Sequence, residues 1–139
     1  MESKKYYSGA SHIKSLIDMA QCDGLVDEKE IILLNNMAEK FDLSQEDLKN
    51  IKKYHRKVNF VPPADLPEKI GLFYDIVQMM IIDGKIEEKE MQLCNKYAAM
   101  LEINPENINN LVKLIHAGIT KGQSKETTLS AILTGSIAS

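Results

Sequence analysis

The residues in this chain best placed to do chemistry occur twice. Asp23-Gly24 is followed by Val26 and Glu30, and Asp83-Gly84 by Ile86 and Glu90, so D-G-x-[IV]-x-x-x-E recurs at an interval of 60. Carboxylates flanking a glycine turn are hard oxygen donors of the kind calcium and magnesium take. Their helical phase is informative. Asp23 falls three residues after Ala20 and seven after Leu16, and Asp83 stands in the same relation to Met80 and Ile76, so each continues an apolar stripe. Glu30 precedes Leu33, Leu34 and Met37 by three, four and seven residues, as Glu90 precedes Leu93, Cys94 and Tyr97. All four acids are therefore expected to lean toward the interior, where burial and like charge both disfavour the ionised form. A divalent cation is one remedy, with Asp23, Glu30, Asp83 and Glu90 as its ligands. Backbone N–H groups are the other, with Glu30 closing a capping box from Asp27 and Asp23 forming an Asx turn. The spacing alone leaves both open.

The elements that must position these acids form an internal repeat. Residues 16–51 align without a gap on 76–111, with identities that include Met19/Met79, Asp23/Asp83, Gly24/Gly84, Glu28/Glu88, Glu30/Glu90, Leu33/Leu93 and Ala38/Ala98. Each copy reads as three helices. Ile13, Leu16, Ile17 and Ala20 recur at the helical period in the first, and Phe73, Ile76, Val77 and Met80 repeat them. Asp27 and Ser44 are N-cap candidates in copy one, and Asn104 followed by Pro105 in copy two. VPPADLP, with Pro62, Pro63 and Pro67, interrupts any helix and restarts one from Asp65. The expected fold is all-α, about seven helices, with two pseudo-symmetric three-helix repeats packed as one bundle in a single domain spanning 1–139. Repeat one covers about 11–57, the linker 58–66, repeat two 67–117, and a last helix about 124–137, opened by Ser124.

The helix–DG–helix unit, MAQCDGLVDEKEI and MMIIDGKIEEKEM, resembles the TerB family of tellurite-resistance proteins over roughly residues 11–116. The resemblance implies a pseudo-symmetric helical bundle that acts in stress response without catalysis. It also implies a divalent cation held by Asp23 and Glu30, with Asp83 and Glu90 matching in the second copy. Tellurite is not implied as a ligand, because such a name records a phenotype. The turn also looks like the second half of an EF-hand loop. The first half fails, since Met19, Gln21, Met79 and Ile81 stand where main carboxylate ligands belong, and no self-contained calcium loop is expected.

Composition narrows the remaining classes. The chain has 139 residues, 44% of them hydrophobic, and a net charge of −3, which argues against a dedicated nucleic-acid binder. No apolar run reaches the roughly 20 residues of a spanning helix. The start MESKKYYSGASHIK lacks a signal-like apolar stretch, and Cys22 and Cys94 form no CxxC, so a cytoplasmic location and two ordinary buried thiols are expected. His12, His55 and His116 have no zinc spacing, no nucleophile elbow or phosphate loop occurs, and neither an organic cofactor nor an enzyme is expected. Lys49, Lys52, Lys53, Arg56 and Lys57 form a basic run with His55 along the third helix. It reads as solvated surface or as a docking patch for an acidic protein partner or anionic lipid. The alternative to a cation-binding module is thus a metal-free scaffold for protein–protein interaction.

Overall fold

The computed structural model describes residues 4–22, 26–82 and 84–135, with side chains from Gly9 onward. They form seven α-helices and no strand: α1 (Lys4–Ala20), α2 (Glu28–Lys40), α3 (Gln45–Lys53), α4 (Leu66–Ile81), α5 (Glu88–Met100), α6 (Pro105–Thr120) and α7 (Lys125–Thr134). No described helix is long and apolar enough to cross a membrane.

Helix starts follow the cap chemistry written in the sequence. Asp27 accepts from the Glu30 N–H, Ser44 from Asp47, Asp65 from Glu68, Asn104 from Glu106 and Ser124 from Thr127. Each satisfies an N–H that the first turn leaves without an intrahelical partner. Helix ends repeat as faithfully. After α2, the N–H of Asp42 bonds to the Glu39 carbonyl and that of Leu43 to Ala38; after α5, Glu102 bonds to Ala99 and Ile103 to Ala98. This pairing is the Schellman motif, and it holds Asp42 and Glu102 at φ 56° and 61°, in the left-handed region glycine usually occupies. Gly84, at φ 84°, makes the left-handed turn expected of the second Asp-Gly.

The two repeats meet most extensively through α1 and α4, and α2 and α3 pack on α1 as α5 and α6 pack on α4. Equivalent positions fill one core: Ile13 and Phe73, Leu16 and Ile76, Met19 and Met79, Ala38 and Ala98, Leu48 and Ile108 are all buried. Each large side chain among them contributes on the order of 1.5–3 kcal/mol by leaving water. From Ile70 to Val77 every residue of α4 is buried, so this stretch of the helix is enclosed on all sides.

Three features depart from an exact duplication. The third helix of repeat one stops at Lys53, whereas its counterpart α6 runs for 16 residues. The basic run is therefore split, with Lys49, Lys52 and Lys53 on α3 and His55, Arg56 and Lys57 in the turns that follow. α1 begins at Lys4, ahead of the repeat boundary, and includes Tyr6 and Tyr7. α7 has no counterpart and packs on α4 and α6. Its approach to α6 depends on Gly118, where a Cβ would overlap the Thr128 hydroxyl.

Candidate functional site

Of the four acids singled out by spacing, Glu30 and Glu90 are described, while Asp23 and Asp83 lie outside the described residues. Both glutamates face inward as their phase requires, at 7% and 4% exposure. Each stands in the first turn of its helix with one oxygen fixed by backbone. Glu30 Oε1 accepts from the Asp27 N–H at 3.1 Å and Glu90 Oε1 from the Glu87 N–H at 3.0 Å. A carboxylate at a helix N-terminus is also favoured by the peptide dipoles. The two positions are thus equivalent in burial and in backbone partner.

The surroundings of the turns are mixed. A hollow of about 400 Å³ beside the second turn is lined by Gly84, Ile82, Gln78 and His116, with Lys29 reaching it from α2. Lys29 near the start of α2 and Gly84 therefore lie on one side of the bundle. A smaller hollow of about 210 Å³, between the end of α1 and α2, is lined by Ile17, Val26, Ile31 and Lys52. Among the described residues no three His, Cys, Asp or Glu side chains come together as a ready cation cage. Carboxylate oxygen is a hard donor, and the described share of the expected ligand set is Glu30 and Glu90.

Two other carboxylates, neither of which recurs in the opposite repeat, organise the interior. Asp75, on α4, is 1% exposed. His12 Nε2 of α1 lies 2.7 Å from its Oδ2, and the Lys125 ammonium of α7 donates to Oδ1 and Oδ2 at 2.9 and 3.0 Å. Burial works to raise the Asp75 carboxyl, but the His12 hydrogen bond and the Lys125 charge outweigh it and hold the group below its ordinary value. Asp18, on α1, receives Lys14 Nζ at 2.9 Å, lies 2.7 Å from His55 Nδ1, and accepts the Tyr97 hydroxyl of α5. Its carboxyl is likewise lowered, with burial opposing and the Lys14, Tyr97 and His55 hydrogen bonds prevailing. The Tyr97 hydroxyl is pushed up, first by burial and then by Asp18. Each carboxylate ties together three parts of the chain, and both ties run between repeats.

The sequence did carry a signal for one of them. Asp75 is the only charge between Ile70 and Ile82, and a lone carboxylate in such a run must be paired. Because the equivalents of Asp75 and Asp18 are Ser15 and Gln78, a search for repeated acids passes over both. Ser15 is buried too, with its hydroxyl donating to the His12 carbonyl at 2.6 Å. His12 and His55, which have no zinc spacing, are the partners of these acids. Cys94 is buried, its thiol pushed up to about 12 by desolvation, whereas Cys22, expected to be buried, is half-buried.

Comparison of the chain with protein-family models, with curated proteins and with solved structures finds no significant match.

Proposed function

We propose that this chain is a non-enzymatic, TerB-like helical module of cytoplasmic stress response, whose two Asp-Gly-x5-Glu turns hold a divalent cation. The observation that carries the reading is the matched burial of Glu30 and Glu90 in the first turns of equivalent helices. Oxygen-only donors favour calcium or magnesium over softer metals. Asp23 and Glu30 would hold the ion in one repeat, Asp83 and Glu90 in the other, and the ion would supply the charge that buried carboxylates require.

The test is calorimetric titration of calcium and of magnesium into the wild type, Asp23→Asn/Glu30→Gln and Asp83→Asn/Glu90→Gln. Glutamine keeps a capping-box oxygen while removing the charge, so helix starts survive and only ion affinity falls. Saturable heat in the wild type that both amide variants diminish supports the reading; flat traces in all three remove it.

A second reading, a metal-free interaction scaffold, is favoured by the capping bonds at Glu30 and Glu90, which give those carboxylates backbone partners without an ion. It predicts a melting temperature indifferent to chelator.

A further inference from the structure

A surface groove of about 520 Å³ opens between α1, α3 and the segment that leaves α3. Its wall is largely apolar, built from Ile51, Tyr54, Val58 and Val61, and it also carries the carboxamides of Asn50 and Asn59. Tyr54 is 46% exposed and Val61 65%, the latter the most exposed large apolar residue described. Lys57 lines the groove, Lys53 reaches the Tyr54 ring in its wall, and the surrounding segment is basic. Residues 49–57 hold Lys49, Lys52, Lys53, Arg56 and Lys57 with no carboxylate, in a chain whose net charge is −3. None of the five forms an ion pair among the described residues. The Lys53 and Lys57 ammonium groups lie 5.4 and 5.9 Å from the Tyr54 ring centroid, so positive charge flanks the exposed aromatic.

We propose that this groove binds a short acidic peptide segment of a partner protein, with an apolar side chain seated against Tyr54, Val58 and Val61 and carboxylates meeting the lysines. The charge of the rim sets the sign of the partner. The two asparagines favour a peptide over an acyl chain, because a carboxamide matches the donor and acceptor of a peptide bond and an acyl chain offers neither. Tyr54 is the anchor that interface energetics would select, an aromatic ring ringed by polar groups. The inference deepens the scaffold reading and is independent of any cation.

The probe is a fluorescein-labelled peptide helix with leucines along one face and glutamates on the other. Its controls are the same peptide with lysine for glutamate, and vesicles of phosphatidylglycerol in phosphatidylcholine. Anisotropy with the full chain is expected to saturate for the acidic peptide, to weaken as salt rises, and to show at least tenfold weaker binding of the basic peptide. Lys53→Glu/Lys57→Glu and Val61→Glu, all at exposed positions, should each reduce affinity about tenfold, while Lys96→Glu on α5 leaves it unchanged. Absence of binding, equal affinity for both peptides, or an equal loss in Lys96→Glu would overturn the proposal. So would binding confined to the vesicles. Such a failure removes the groove and does not touch the chelator experiment, which tests the scaffold reading separately.

Discussion

Replacing Asp75 by alanine removes a carboxylate that joins α1, α4 and α7. Deleting one member of a buried ion pair costs about 3–5 kcal/mol, because the partner's charge is stranded. Here the partners are not equally trapped. The Lys125 side chain is 26% exposed and can turn its ammonium to water, whereas His12, at 14%, is held against the Phe41 ring at 4.7 Å between centroids. What remains is a His12 ring nitrogen without its hydrogen-bond partner together with the lost Lys125 contact, which brings the expected loss to about 2–4 kcal/mol. For a chain of this length that is a fall in Tm on the order of 10 °C. Urea unfolding followed by circular dichroism should show a lower midpoint at unchanged slope, since the folded core remains. Hydrogen exchange should place the earliest loss of protection in α7, where only Thr128 and Ile132 are buried. The pH dependence has a definite sign. A carboxyl held below its ordinary value of 3.8 contributes stability above that pH and loses it as pH falls through the lower folded-state value. Wild-type stability should therefore drop below about pH 4, and in Asp75→Asn this fall should be shallower. A loss under about 1 kcal/mol, or parallel acid profiles for wild type and Asp75→Asn, would refute the reasoning.

Other outcomes follow from single contacts. Tyr97→Phe removes one donor from Asp18 and leaves Lys14 and His55 in place, so urea unfolding should show a loss of about 1–2 kcal/mol. Thr128→Val should stabilise by about 1 kcal/mol in the same assay, because the buried Thr128 hydroxyl has no hydrogen-bond partner among the described residues. Cys94, with its thiol pushed up to about 12 and no exposed surface, should react with a thiol reagent at pH 8 only as fast as the protein unfolds; rapid labelling in a Cys22→Ser background would contradict this.

The fold was legible where local chemistry and duplication agreed. Asp27, Ser44, Asp65, Asn104 and Ser124 each cap the helix the sequence assigned to them, since a short acceptor before an apolar stripe has few other uses. The inward phase of Glu30 and Glu90 was legible for the same reason. The left-handed Asp42 and Glu102 were not, because neither is the glycine that marks such a cap, and the Schellman bonds with buried Leu43 and Ile103 override their propensity. The early end of α3 was also hidden. Lysines 49, 52 and 53 continue a helical spacing toward Arg56, but His55 turns to meet Asp18, a contact 37 positions away. Asp18 and Asp75 escaped for a related reason. Periodicity reports which face a residue occupies, and only packing between repeats reveals which partner neutralises it.

The linker is fastened rather than loose. The Val61 N–H donates to Ser11 Oγ at 2.7 Å and the same hydroxyl donates to the Val61 carbonyl at 3.2 Å, with Ser11 2% exposed on α1. Two similar halves on one tether can in principle trade places between neighbouring molecules, since either half of a second chain offers much the same surface. A serine that clasps the strap to its own first helix keeps the halves paired within one polypeptide. Ser11→Ala should accordingly let exchanged dimers accumulate on refolding at high concentration, visible by size-exclusion chromatography, while the monomer keeps its helical content.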